Sequence, residues 1–232
     1  MENSQRGFEL LQAADADGLR QLLEHDPAAA EARDAAGVSL LMQSLYRGRR
    51  DLAELIASKK KALDIFEAAA LGRLDRLKDC IRDAAAVVDS HSKDGFTALH
   101  FACFFAQPEA ARLLLESGAA PDAVAANPTQ VMPLHSAASA RNLEAVRLLL
   151  EHGDPSMVNA RQQRGWVPIH AAAQNGDRPM VELLLKHGAD PKLANDEGKT
   201  PATVAKEKGH QEIAALLERP GDGKNAEGHT DN

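Results

Sequence analysis

Residues 97–100 read TALH, residues 132–135 read MPLH, and residues 167–170 read VPIH. The three histidines, His100, His135 and His170, are spaced at intervals of 35 residues. A catalytic cluster has no need of such regularity, whereas a repeating structural unit produces it. The phrase also carries a tail. GFTALHFACFFAQPEAARLLLESG covers 95–118, VMPLHSAASARNLEAVRLLLEHG covers 131–153, and GWVPIHAAAQNGDRPMVELLLKHG covers 165–188. GKTPATVAKEKGHQEIAALLE, at 198–218, follows the same order with Thr203 in the histidine position. Each unit passes from a turn through a short alanine-rich stretch and a polar break to a leucine-rich run and, in the first three, a glycine.

Each unit reads as two helices. Pro133, Pro168 and Pro201 stand at the start of the first helix, where a missing N–H costs nothing because that donor has no intrahelical partner. Ala102–Cys103, Ala137–Ala138 and Ala172–Ala173 supply small side chains that let adjacent helices approach. Leu113–Leu115, Leu148–Leu150 and Leu183–Leu185 supply the bulk of the second helix. Gly118, Gly153 and Gly188 are expected to end the second helices as left-handed caps.

This order of residues resembles the ankyrin repeat family, whose unit is a β-turn followed by two antiparallel helices, about 33 residues long, with T-P-L-H at the first helix. The resemblance implies an all-α solenoid of about seven stacked helix pairs joined by β-turn loops, with the first repeats atypical. It is expected to occupy residues 1–218 as a single unit. Upstream, IFEAAALGRLDRLKDCI at 65–81 reads as a third unit with Phe66 in the histidine position. GVSLLMQSLYRGRRDLAELI at 37–56 reads as a second, with Met42 there, and FELLQAADADGLRQLLEHDP at 8–27 as a first. Met42 to Phe66 spans 24 residues, too few for a full unit, so the run Lys59-Lys60-Lys61 joins one helix almost directly to the next. By contrast, the loops before His135 and His170 each carry two extra residues relative to the one before Thr203, and Gln130 stands where a glycine is usual. The segment RPGDGKNAEGHTDN, 219–232, lacks apolar periodicity and is expected to be disordered.

Composition narrows the function. The 232 residues are 44% hydrophobic but only 3% aromatic, favouring packed helices over sheet. A net charge of −7 argues against a general nucleic-acid surface, and no basic leader or membrane-length apolar run is visible. A monomeric cytoplasmic protein without cofactor is the expectation. Cys80 and Cys103 form no metal-binding or redox motif, and Cys103 falls where a small core residue is wanted. The three phrase histidines sit one layer apart, roughly 8–10 Å by helix packing distances, too far to share one zinc ion. The resemblance assigns them instead to hydrogen bonds between turns. No phosphate-loop, dinucleotide, HExxH or G-x-S-x-G motif is present.

Two surface features stand out. Residues 38–61 hold Arg47, Arg49, Arg50, Lys59, Lys60 and Lys61 against Asp51 and Glu54. An acidic or phosphorylated protein segment is one reading of this cluster; solvation of a turn and a helix end is the simpler one. The second feature is aromatic. The residue before each phrase is Phe96, Val131, Trp166 and Lys199 in turn. The resemblance places this position toward the concave face, together with first-helix residues such as Phe104, Phe105 and Asn175. A protein partner is therefore expected to meet Phe96, Phe104, Phe105, Val131 and Trp166, with Gln130, Arg141, Gln163, Arg164 and Asn175 tuning selectivity. Burial of Phe104 or Phe105 in the core is the competing reading. The rival function is a small-molecule site or enzyme using a pocket in the groove.

Overall fold

The computed structural model describes residues 2–219, so all but the first residue of the tail lies outside the described residues. Among the described residues fourteen α-helices form seven antiparallel pairs: α1 (Glu2–Gln12) with α2 (Ala16–His25), α3 (Leu40–Tyr46) with α4 (Arg50–Lys59), α5 (Ile65–Leu71) with α6 (Leu74–Asp83), α7 (Ala98–Phe104) with α8 (Pro108–Glu116), α9 (Pro133–Ser139) with α10 (Leu143–His152), α11 (Pro168–Asn175) with α12 (Arg178–Lys186), and α13 (Pro201–Glu207) with α14 (Gln211–Leu217). The described residues contain no strand beyond one isolated bridge between Arg33 and Ser39.

First helices of seven or eight residues are too short to stand alone, and their ends show how they persist. Ser39, Asp64, Thr97 and Thr200 cap the N-termini of α3, α5, α7 and α13 through side-chain oxygens. At the other end every pair closes in the same way. A left-handed residue stands at Ala14, Gly48, Gly72, Ala106, Arg141, Gly176 and Gly209. The next N–H returns to the carbonyl five residues back, as in Asn142 to Ala137 at 2.9 Å and Asp177 to Ala172 at 3.0 Å. Three of the seven positions carry a side chain in a conformation that favours glycine.

The core is a continuous stack. Ala102, Cys103, Ala137, Ala138, Ala172 and Ala173 are fully buried, which lets α7, α9 and α11 lie closely side by side. Leu114, Leu149 and Leu184 are fully buried from the second helices. Each such leucine contributes roughly 1.5–3 kcal/mol by leaving water.

Five turns project from the stack at 34–38, 92–96, 125–131, 162–166 and 195–199, each closed by a backbone bond such as Ser92 N–H to Phe96 O at 2.8 Å or Ala125 N–H to Val131 O at 2.8 Å. Successive turns are joined in a ladder: Ala126 N–H donates to Gly95 O at 2.7 Å, Gln163 N–H to Thr129 O at 2.8 Å, and Asp196 N–H to Arg164 O at 3.0 Å. No corresponding rung joins 34–38 to 92–96. The third repeat has no projecting turn, because residues 60–64 pass straight from α4 to α5. There the backbone of α3 lies much further from α5 than α5 does from α7.

Two sequence expectations need correction. The residue in the histidine position of α5 is Glu67, not Phe66. Asp64 is the N-cap, and it exchanges bonds with Glu67 in a capping box, at 2.9 Å to the Glu67 N–H and 3.1 Å from the Asp64 N–H. The shortened linker had shifted the register by one. Gly153 is extended (φ −99°, ψ 172°), whereas Gly118 and Gly188 are left-handed as expected. The two extra residues before Trp166 form a 3-10 turn, Pro155–Asn159, whose Met157 folds under Gly153 so that a Cβ there would strike the Met157 sulfur. The two extra residues before His135 lie instead inside the turn itself, making 125–131 longer than the other four turns.

Gly95 is left-handed (φ 87°), and a Cβ there would sit 2.8 Å from the Ala126 carbonyl carbon and oxygen. Gly95→Ala should destabilise by about 2 kcal/mol, whereas Ala106→Gly, which relieves a left-handed alanine, should stabilise by about 0.5–1 kcal/mol. Urea denaturation of the two variants checks both signs.

Candidate binding surface

The ends of the first helices and the exits of the turns together make one surface. Four residues beyond the histidine position of α3, α5, α7, α9, α11 and α13 stand Tyr46, Leu71, Phe104, Ser139, Gln174 and Glu207. The turn exits contribute Val38, Phe96, Val131, Trp166 and Lys199. Both rows are apolar toward the N-terminal half, where Leu71 and Val38 are themselves buried, and polar toward the C-terminal end. Where they meet, two hollows flank Phe104. One of about 120 Å3 is lined by Tyr46, Phe96, His100, Phe101, Phe104 and Ser136. The other, of about 170 Å3, is lined by Phe96, Phe104, Thr129, Val131, His135, Ser136, Ser139 and Gln162.

Phe104 is 47% exposed and Tyr46 40%, whereas Phe101 beneath them is 3% exposed. Phe101 is the hub of the cluster: Phe96 meets it edge-on at 5.7 Å between ring centroids, Phe66 at 6.0 Å, and Phe105 stacks at 6.4 Å. Phe105 is half-buried and supports Phe104 edge-on at 5.1 Å. Tyr46 stacks on Phe105 at 6.1 Å and donates its hydroxyl to Asp94. Burial, with the Asp94 carboxylate beside it, pushes the Tyr46 phenol well above its ordinary range. Tyr46 and Phe101 are absent from the residues singled out in the sequence. Tyr46 is legible once the register is carried back to the second repeat, since it occupies the Phe104 position. Phe101 carries the helical i, i+4 relation to Phe105.

The remaining expected residues divide. Trp166 is half-buried with its ring 5.3 Å from that of His170, just as Phe96 lies 5.8 Å from His100. Val131 is half-buried at the second hollow. Gln130, Gln163 and Arg164 are exposed on the turn tips. Gln130 and Arg164 are left-handed, and Arg164 pairs with Glu197. Arg141 sits at the far end of α9 from the turns, with its guanidinium 3.5 Å from Asp177. Asn175 donates to the Ala138 and Ser139 carbonyls of the preceding repeat at 3.4 and 3.2 Å. Asn142 to Cys103 O at 3.3 Å and His210 to Gln174 O at 3.1 Å make the same kind of tie. Asn175 therefore spends its amide on the scaffold.

The phrase histidines hold the surface in place. The backbone N–H groups of Thr97, Met132 and Val167 donate to Nδ1 of His100, His135 and His170 at 3.2, 3.1 and 3.2 Å. Nδ1 is thus the acceptor and Nε2–H the donor. It donates to the carbonyls of Val131, Ala160 and Lys199 at 3.0, 2.9 and 3.1 Å, in the connecting segment of the next repeat. Burial lowers His100 and His135 to about 4 and lowers His170 as well, so all three are neutral at pH 7. Among the described residues no group of three His, Cys, Asp or Glu has a geometry that could hold a metal ion. Cys80 and Cys103 are both free, and burial pushes the Cys103 thiol far up.

Three of the six basic residues in the run 38–61 are absorbed by structure. Arg49 pairs with Asp51 at 2.7 Å; Arg50 lies 3.6 Å from Glu54 and donates to Leu71 O at 3.1 Å. Lys60, with its side chain 3% exposed, lies 2.9 Å from Glu31 and 3.3 Å from Glu67. Burial raises the Glu67 carboxyl and Asp64 adds to the effect, with Ser39 and Lys60 opposing it.

Paired short helices, a neutral-histidine tie between layers and a ladder of projecting turns define a helical-repeat scaffold. Two models described as ankyrin repeats match this chain, one over residues 65–160 and one over 149–205. The chain belongs to the ankyrin-repeat family. It is 34% identical over 102 residues to human DNA-binding protein RFXANK, covering 43% of this chain and 39% of that protein. It is 44% identical over 57 residues to ankyrin repeat domain-containing protein oryK of Aspergillus oryzae, covering 25% of this chain and 9% of that protein. The matched region thus spans well under half the length of either relative.

Two outcomes follow from this packing. Phe101→Ala should cost about 3–5 kcal/mol as a buried aromatic deletion, whereas Phe104→Ala should cost under about 1 kcal/mol; thermal melts of both separate core from surface. Histidine titration should also show in stability. The unfolded chain takes up protons near pH 6.5 and the folded chain only near 4, so stability is full above 6.5, falls as pH drops through this window, and levels off below it. His135→Asn should flatten that slope by about one proton, read from urea denaturation at pH 4.5, 5.5 and 6.5.

Proposed function

We propose that this chain is a non-catalytic module that binds a protein partner through the aromatic half of its concave groove. The observation that carries this reading is Phe104, a large apolar side chain 47% exposed between two hollows and braced from below by Phe105. An aromatic held rigid by its neighbours loses little rotamer freedom on contact, the physics of an interface hot spot. Phe96, Val131, Trp166 and Tyr46 extend the contact, and the exposed tips Gln130, Gln163 and Arg164 set selectivity. Arg141 and Asn175 serve mainly to join repeats. The module acts as a monomer without cofactor, and its outcome is reversible assembly, inhibition or scaffolding.

Small-molecule binding in this groove is the weaker reading. The hollows of about 120 and 170 Å3 beside Phe104 fall below the roughly 300–1,000 Å3 of ligand pockets, and a larger one of about 410 Å3 between turns 34–38 and 92–96 is lined by Arg33, Asp64, Lys93 and Asp94 as much as by apolar side chains. RFXANK is named as a DNA-binding protein. Here the net charge of −7 and the aromatic groove favour a protein surface. No helix among the described residues is long and apolar enough to cross a membrane, and we propose no membrane partner.

A photocrosslinking amino acid placed at Phe104, and separately at Arg147 on α10, tests the reading in the native cell. Crosslinks to a protein should form from position 104 and not from 147. With the crosslinked protein purified, Phe104→Ala and Trp166→Ala should each weaken binding at least about tenfold with the fold intact. Crosslinking only from position 147, or unchanged affinity in both variants, would contradict it.

A further inference from the structure

The missing turn of the third repeat leaves an opening on the outer side of the solenoid, away from the groove. Elsewhere the chain between a second helix and the next first helix is long, as at 84–97 or 117–132, and folds over the ends of the helices. At 60–64 it is too short to do so. A cleft of about 650 Å3 remains between the end of α4, the linker and the first turns of α6. Its aliphatic lining is Ala57, Ala62, Leu63 and Leu74. Its charged lining is Lys60, Lys61, Arg73, Arg76 and Lys78, with Asp75 as the one acid.

Ion pairs account for part of this charge. Lys60 is buried between Glu31 and Glu67, and Arg73 pairs with Glu54. Three cations remain. Lys61 gives its backbone N–H to Glu31 at 2.9 Å, but its ammonium has no carboxylate partner among the described residues. Arg76 is pinned by a 2.7 Å bond from Nε to the Leu63 carbonyl, which leaves both terminal nitrogens for another acceptor. Lys78 reaches only Asp75, at 4.0 Å, and that carboxylate is fully exposed. At the same cleft Arg73 is the N-cap of the ten-residue α6, with no side chain bonded to the first-turn N–H groups, so the helix dipole adds to the positive field. In a chain of net charge −7 this concentration is local and specific.

We propose that this outer cleft binds an acidic peptide segment of a protein partner, with two or three carboxylates on Lys61, Arg76 and Lys78 and an aliphatic side chain on the Leu63–Leu74 floor. A cleft of about 650 Å3 suits a chain better than one phosphate, which needs its cations to converge. A nucleic acid would need a longer row of phosphate contacts than three free cations supply. The pinned Arg76 guanidinium is preorganised for a bidentate carboxylate. The site is separate from the groove, so a partner can engage either face alone or both together.

The test uses fluorescein-labelled octaglutamate and the full chain, read by fluorescence anisotropy at 50 mM salt. Saturable binding is expected, weakened at least fivefold in the Lys61→Ser/Lys78→Ser double variant. It should change less than twofold in Arg147→Ser/Lys186→Ser, which removes the same charge from the outer faces of α10 and α12. Absence of saturable binding, equal loss in the two double variants, or equally tight binding of an octathymidylate would overturn the assignment. Phe104→Ala should leave octaglutamate binding unchanged, so this site and the groove stand or fall separately.

Discussion

Three consecutive repeats of this protein, the fourth to the sixth, each depend on a neutral imidazole that faces two ways. Nδ1 accepts the N–H at the start of its own helix, and Nε2–H donates to a carbonyl in the segment that leads to the next repeat. The helices it joins are one to two turns long at their first member, and nothing local keeps such helices folded. Their stability comes from neighbours, through alanine pairs that allow close approach and through this bond, which fixes where the next turn lies. One hydrogen bond of this kind contributes on the order of 1 kcal/mol net, but an unpaired buried imidazole would cost more. Where the histidine is replaced, the layer changes character: Thr203 closes on Thr200 near the C-terminal end, and Glu67 turns to its cap Asp64 and to Lys60.

That replacement coincides with the one irregular junction. Between α3 and α5 the backbones part; Phe66, Phe101 and Phe105, with Tyr46 on top, take up part of the inner side, and a hollow of about 410 Å3 lined by Val38, Met42, Asp64, Phe66 and Phe101 remains beside the turns. On the outer side nothing fills it, and the cationic cleft remains. The aromatic groove and the basic cleft are thus two results of one shortened linker. The regular repeats downstream, with their hydrogen-bonded turns, provide the rigid body from which both are presented.

Much of this was legible in the sequence. A phrase recurring at fixed intervals, proline at the first helical position and a leucine run identify the scaffold because each residue type answers a local geometric need. What escaped the sequence was set by tertiary contact. Phe66 and Glu67 are adjacent, and only the capping box shows which one faces the turn. Gly153 looks like its counterparts Gly118 and Gly188, but Met157 packing beneath it dictates an extended backbone. The two loops with two extra residues look alike in length, yet one lengthens the projecting turn and the other adds a 3-10 turn before it. Asn175 and Arg141 read as groove residues because they are polar and near the right helix, whereas the carbonyls and carboxylate that engage them lie 36 or 37 residues away. Phe101 and Tyr46 carried the periodic signal, but its meaning depended on knowing which face was closed.

The most direct measurement of the central claim is a long-range proton–nitrogen correlation spectrum of the imidazoles at pH 6. The structure requires His100, His135 and His170 each to appear as the neutral form protonated at Nε2, with a slowly exchanging proton. Imidazolium signals, or a rapidly exchanging mixture of tautomers, at these three positions would show that the layers are not joined as described.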